Sequence, residues 1–319
     1  MSSYHVVVTD QVFPTVDVER ELLAGIDAEL VVASGSREEV IAVAQDADAL
    51  LNTYLPIDAD FVAKLSNCKI IARYGIGVDN VDLEAARAAD IAVTNVPDYS
   101  VEEVAAHTLA LLLALLRRLP EGFETVRAEE WNLNRIRPVL RLSELSVGLV
   151  GFGRIAQRVA RSLLALDMRC VVFDPYLPAE ARIAIDEAVT FVDDLDELLS
   201  TVDALSLHCP LTPETRGLIG RKQLERLPSH AVVVNTSRGP LVDVDALIHA
   251  LETGAVRGAG LDVLDQEPPE DTKRLQVPGL LVTPHMAYYS EQALQESQRK
   301  ATTQVISGLT GRPLDYQVN

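Results

Sequence analysis

The chain has 319 residues, 48% of them hydrophobic, with 47 acidic against 28 basic side chains and a formal net charge of −19. That length supports two domains with ample cores, and that composition excludes a disordered chain. The acidic field repels nucleic-acid phosphates and anionic lipid headgroups, so neither is expected as a partner, and an acidic substrate must be met by locally placed cations.

The N-terminal stretch Met1–Asp10 lacks a basic region leading into a long apolar run, so no secretory leader is expected. Short β-branched runs then alternate with helix-length amphipathic segments, the rhythm of parallel α/β units. In the first third, strands are predicted at Val6–Thr9, Leu30–Val32, Ala49–Asn52, Ile70–Arg73 and Ala92–Asn95, with helices at Asp58–Leu65 and Leu83–Ala88. An apolar helix follows over Val101–Arg118, with Ser100 as its N-cap and Glu103 completing a capping box. Its uncharged part, Val104–Leu116, falls short of the roughly 20 residues a bilayer requires, so it reads as a buried helix and no membrane is expected.

A second series of apolar strands is predicted at Val147–Val150, Cys170–Phe173, Ala204–Leu207, Val232–Asn235, Gly260–Val263 and Leu280–Thr283, with a last helix over Glu291–Leu309. The expected fold class is therefore α/β, with two doubly wound parallel sheets. One domain is expected over residues 1–99 with 287–319 returning to it, the other over 100–286. Cys68, Cys170 and Cys209 are odd in number and far apart, which fits a reducing, cytoplasmic setting. His5, His107, His208, His230, His249 and His285 are scattered, with no HExxH or CxxC, so no metal is expected.

The strongest local motif is Gly148-Leu149-Val150-Gly151-Phe152-Gly153-Arg154-Ile155-Ala156, which reads strand, glycine turn, helix. Gly151 permits the turn, Gly153 lets the backbone approach a pyrophosphate, and Ala156 is small enough for close helix–strand packing. The pyrophosphate is expected at the N-terminus of a helix over Arg154–Leu166, with Arg154 placed to help neutralise it. Asp174, 21 positions past Gly153 at the end of the next strand, can accept hydrogen bonds from ribose hydroxyls. It repels a 2′-phosphate, so NAD is expected over NADP.

Three ionisable residues follow successive late strands: Arg238 after Val232–Ser237, Glu267 after Gly260–Gln266, and His285 after Leu281–Pro284. The carboxyl ends of strands line the ligand crevice of an open α/β sheet, so these side chains are placed to converge beside a nicotinamide.

At these residues the sequence resembles the D-isomer-specific 2-hydroxyacid dehydrogenases. The matching stretches are Arg73–Asp82, the Gly151 motif, Asn235–Gly239, Gly260–Val263 with Glu267-Pro268, and Thr283–His285. The phosphoglycerate dehydrogenase and C-terminal-binding-protein branches are the most similar, with Tyr288 where the latter carries tryptophan. The resemblance implies a Rossmann NAD-binding domain, a flavodoxin-like substrate domain, an active cleft between them, and a homodimer with the Val101–Arg118 helix as a dimer element. It implies a small 2-hydroxy or 2-oxo acid substrate. Arg238 would bind the substrate carboxylate and carbonyl, His285 would be the acid–base group, and Glu267 would orient the imidazole. Gly75, Ile76 and Gly77 would bind the carboxylate through their amides, and Tyr288 would shape the pocket. Thr108, Ile155, the His208-Cys209-Pro210 loop, Thr236 and Ser237 would border the cofactor, and Asp262 would hold the carboxamide.

One departure is visible. Phosphoglycerate dehydrogenases carry an arginine for the substrate phosphate just after the strand equivalent to Ala49–Leu51, whereas this chain reads Asn52-Thr53-Tyr54-Leu55-Pro56, without a cation. Losing a charge-assisted contact weakens phosphate binding by on the order of 1.5–3 kcal/mol. The alternative to an enzyme, allowed by the second branch, is an NAD(H)-responsive scaffold with little or no turnover.

Overall fold

A computed structural model describes residues 4–183 and 187–319; Met1, Ser2 and Ser3 of the stretch read for a leader lie outside the described residues. The chain divides into two units, Met1–Ser100 with Ser290–Asn319, and Val101–Tyr289.

The first unit is built on β1 (Tyr4–Val8), β2 (Ala28–Val32), β3 (Ala49–Asn52), β4 (Ile70–Arg73) and β5 (Ala92–Thr94), all parallel, in the order β2-β1-β3-β4-β5. That is the flavodoxin-like order. Every residue of β3 and β4 is buried, because helices cover both faces of the sheet. Val7, Leu50, Ile71 and Val93 pack on one face with Phe61, and the C-terminal helix Glu291–Thr310 packs against β3 and β4. The helix expected over Asp58–Leu65 is one turn, Ala59–Val62, capped by the Asp58 carboxylate on the Phe61 amide at 2.9 Å. It stops where the Lys64 and Leu65 amides bond three residues back, to the Phe61 and Val62 carbonyls at 3.0 Å, instead of extending the helical ladder.

The second unit is built on β6 (Ser146–Val150), β7 (Arg169–Phe173), β8 (Val189–Val192), β9 (Ala204–Leu207), β10 (Val232–Asn235), β11 (Gly258–Leu261) and β12 (Leu280–Val282). All pair in parallel, in the order β12-β11-β10-β9-β6-β7-β8, a Rossmann sheet whose order reverses at β6. The edge strand β8 was not among the expected elements. Only Val189 of it is buried and Asp193-Asp194 follow it, so its apolar signal is weak.

Four expectations need correction. β11 begins two residues before the predicted Gly260, because its glycines are strand residues over which the helix Val101–Leu116 lies. A Cβ at Gly258 would meet Leu115, and one at Gly260 would meet Leu111, each at 3.1 Å. That helix ends two residues short of Arg118, which turns left-handed at φ 54° and starts a second helix, Leu119–Arg127. The Ser100 cap is absent: its hydroxyl is buried without a hydrogen-bond partner. The helix after the glycine turn ends at Leu164 rather than Leu166. Among the described residues, no helix is long and apolar enough to cross a membrane.

Candidate active site

β6 runs directly into Gly151, whose φ of +88° is a backbone state that L side chains avoid. The loop after β9 presses on this turn, so a Cβ at Gly151 would sit 2.9 Å from backbone atoms of His208 and Cys209. Gly153 is different. A Cβ there meets nothing within 4 Å, and the helix Arg154–Leu164 that it opens has no side-chain cap. Arg154 is exposed, Ile155 packs partly into the core and Ala156 is fully buried against the sheet. The Asp174 carboxylate accepts the Phe152 amide at 2.8 Å and the Tyr176 amide at 3.0 Å, and each oxygen keeps a further acceptor site. An open glycine turn, an uncapped helix start and this carboxylate fit a dinucleotide.

Hydrogen bonds join the loops that follow the central strands. The Ser237 hydroxyl donates to the Cys209 carbonyl at 2.8 Å, and the Thr215 hydroxyl to the Pro210 carbonyl at 2.7 Å. Thr108 Oγ1 donates to the Val104 carbonyl at 2.7 Å and lies 2.7 Å from Thr236 Oγ1, so Thr236 is the donor of that pair. His208 Nε2 is 2.9 Å from Ser206 Oγ, and burial lowers this imidazole to about 4, leaving it uncharged near neutrality. Burial lifts the Cys209 thiol to about 11, so it offers no thiolate.

Arg238, Glu267 and His285 follow three adjacent strands, β10, β11 and β12. The buried Asn235 side chain closes the β10 loop, accepting the Ser237 amide at 3.0 Å and donating to the Arg238 carbonyl at 2.7 Å. Gly239 then lies against the backbone of Leu264 and Asp265, an approach that no side chain permits. This brings Arg238 to the loop that carries Glu267. Glu267 accepts the Leu264 amide on Oε1 at 2.7 Å and meets His285 Nδ1 with Oε2 at 2.5 Å. Burial alone pushes the Glu267 carboxyl up. The hydrogen bond and charge of His285, the Leu264 amide and the Arg238 charge outweigh it and hold the carboxyl below its ordinary value. His285 has φ 51°, its amide bonds to the Asp262 carbonyl at 2.8 Å, and Tyr288 packs edge-on against the imidazole with centroids 6.0 Å apart.

In the first unit, Gly75, Ile76 and Gly77 follow β4. Their turn is held through carbonyls, Gly75 by the Val96 amide at 3.0 Å and Ile76 by the Asn95 side chain at 2.7 Å. The loop after β3 is pinned by Asp10, which accepts the Thr53 amide at 3.0 Å and the Leu55 amide at 3.2 Å as well as that of Tyr54. Arg73 lies buried beneath this loop and donates to the Thr53 carbonyl. Tyr74 is fixed by the buried Glu19 carboxylate at 2.7 Å and by Ser297, whose hydroxyl donates to the Tyr74 carbonyl at 2.5 Å.

Arg238, Glu267, His285, Asp262 and Tyr288 thus sit together in the second unit, as do Gly151, Asp174, Thr108, Thr236, Ser237 and the His208–Pro210 loop around the glycine turn. Sequence reading missed Asp10, Tyr74, Glu19 and the contact of His107 Nε2 with Thr283 Oγ1 at 2.9 Å. A lone Asp after a strand is a weak signal of a loop anchor, and a histidine inside an apolar helix carries none. Among the described residues no cluster could hold a metal ion.

Residues 109–287, more than half the chain, match the NAD binding domain of the D-isomer specific 2-hydroxyacid dehydrogenases. A D-3-phosphoglycerate dehydrogenase of Methanocaldococcus jannaschii is 37% identical over 91% of this chain and 55% of its own length. A glycerate dehydrogenase of Methylorubrum extorquens is 34% identical over 86% of this chain and 87% of its own. The solved structure of an Aquifex aeolicus D-lactate dehydrogenase, complexed with NAD and lactic acid, superposes with a TM-score of 0.85 at 26% identity, covering 96% of each chain. The chain belongs to the D-isomer specific 2-hydroxyacid dehydrogenase family, with NAD as the cofactor of its second unit. It spans about half the length of the phosphoglycerate dehydrogenases it matches.

Proposed function

We propose that the protein is an NAD-dependent oxidoreductase that interconverts a small D-2-hydroxy acid and its 2-oxo acid. The observation that carries this reading is the His285–Glu267 pair at 2.5 Å, on a loop that Gly239 brings against Arg238. NAD(H), when bound, supplies or accepts the hydride, with Gly151, Gly153, Arg154 and Ile155 holding the pyrophosphate, Asp174 the ribose and Asp262 the carboxamide. Thr108, His208, Cys209, Pro210, Thr236 and Ser237 border it.

In reduction, His285 Nε2 gives its proton to the carbonyl oxygen, and in oxidation it takes the proton from the hydroxyl. Glu267 orients the ring through Nδ1. The Arg238 fork binds the carboxylate and carbonyl oxygen, and the amides of Gly75, Ile76 and Gly77 bind the carboxylate. Tyr288 shapes the pocket. The cation-free stretch 52–56 favours a substrate without a phosphate.

The relatives are named dehydrogenases, which gives the scaffold alternative no support. Exposed Leu119, Phe123, Val126, Trp131 and Leu133 favour a homodimer through this part of the second unit. Three free cysteines fit a cytoplasmic setting. The test is a panel of 2-oxo acids assayed with NADH and with NADPH. Oxidation of NADH by at least one unphosphorylated acid is expected, and no oxidation above background by any acid overturns the reading.

A further inference from the structure

Asp262, at the end of β11, is 1% exposed and turns its carboxylate to the loop that carries His285. Oδ1 accepts the Met286 amide and Oδ2 the Ala287 amide, each at 2.9 Å, while the Asp262 carbonyl accepts the His285 amide at 2.8 Å. Three successive amides therefore depend on this one residue, and they fix a histidine in the left-handed region. A carboxylate with this duty must hold one orientation.

Its orientation is set from the opposite side. The Thr283 hydroxyl donates to Asp262 Oδ1 at 2.6 Å, and its oxygen lies 2.9 Å from His107 Nε2. Thr283 has one proton, and it is committed to the carboxylate, so His107 must donate through Nε2. The result is a directed chain, His107 Nε2–H to Thr283 O–H to Asp262, whose members polarise one another in a partly buried setting. His107 Nε2 is itself only 3.6 Å from Asp262 Oδ1. The backbone of the helix Val101–Leu116 is rigidly based, since Leu111 and Leu115 rest on Gly260 and Gly258 of β11.

We infer that His107 is a positioning residue: acting through Thr283 and Asp262, it holds the His285 loop in the geometry required for proton transfer. This rests on the acid–base assignment of His285 above. His107 touches no reacting atom in this scheme, so its effect falls on kcat rather than on substrate affinity.

The test uses the full chain and the variants His107→Leu, His107→Gln, Thr283→Val and the double variant His107→Leu/Thr283→Val. Loss of one hydrogen bond in a charged chain is expected to lower kcat by about tenfold, with the KM of the 2-oxo acid changed by less than about threefold. Glutamine, whose amide can replace Nε2–H, is expected to restore kcat to within about threefold of the parent. The double variant is expected to be no worse than the poorer single one, because both break the same chain. Hydrogen exchange at the Met286 and Ala287 amides supplies a readout independent of turnover, and it is expected to accelerate in the leucine and valine variants only. Unchanged kcat and unchanged exchange in those two variants overturn the inference, as does full additivity in the double variant. If exchange accelerates while His285→Ala retains turnover, the loop-positioning role stands and the acid–base assignment fails.

Discussion

Alanine at the two glycines of the nucleotide turn separates fold from ligand. At Gly151 the added methyl forces a residue at φ +88°, a strain of about 1–3 kcal/mol. It also sits 2.9 Å from backbone atoms of His208 and Cys209, which cannot swing aside as a side chain would. Overpacking of that kind costs about another 1–3 kcal/mol. The sum, roughly 2–6 kcal/mol, is a large part of the 5–15 kcal/mol typical of a folded chain. For a unit of this size it corresponds to a fall in Tm of about 5–20 °C. Gly153→Ala meets no protein atom within 4 Å at an ordinary φ of −72°, so Tm should stay within about 2 °C. Its methyl instead enters the space assigned to the pyrophosphate, and NADH affinity should drop by about tenfold or more. The assay pairs thermal denaturation with NADH fluorescence titration. Equal destabilisation by the two substitutions, or unchanged NADH binding by Gly153→Ala, would refute the assignment of this turn.

Other expectations follow from the same geometry. Arg238→Lys should raise the KM of the 2-oxo acid by about tenfold or more while leaving NADH binding within a few-fold, because an ammonium cannot reproduce the planar fork; steady-state kinetics decide this. Since the Glu267 carboxyl is held below its ordinary value of 4.5, its stabilising contribution is complete above that value and is lost as pH falls through the lower folded one. Tm measured from pH 7 to pH 3 should therefore fall less steeply in Glu267→Gln than in the parent, and identical slopes would contradict the pairing. Sedimentation of Phe123→Asp/Trp131→Asp should show a shift from dimer to monomer, and a monomeric parent would remove that assignment.

Much of the fold is legible because short continuous apolar runs carry it. Ala49–Asn52, Ile70–Arg73, Ala204–Leu207 and Val232–Asn235 are strands over the same residues as read from sequence, being buried on both faces. Local pattern fails where long-range packing decides. Gly258 falls outside the predicted strand because its place there depends on the helix Val101–Leu116 laid over it, and β8 carries too little apolar signal to stand out beside its acidic neighbours. Ser100 offers a cap in the sequence, but its buried hydroxyl makes no hydrogen bond. At the site, residue types after strand ends are readable, because an α/β sheet gathers them at one edge. Their supports are not: His107 meets Thr283 across 176 positions, and Asp10 meets the Leu55 amide across 45.

The most direct measurement is single-turnover reduction of a 2-oxo acid by NADH-loaded protein, comparing the parent with His285→Ala. The account predicts that the variant binds NADH within a few-fold of the parent and transfers hydride at least about a hundredfold more slowly, the usual contribution of a general acid. Transfer at the parent rate with NADH bound would contradict it, since the proton would then come from elsewhere than the imidazole that Glu267 holds.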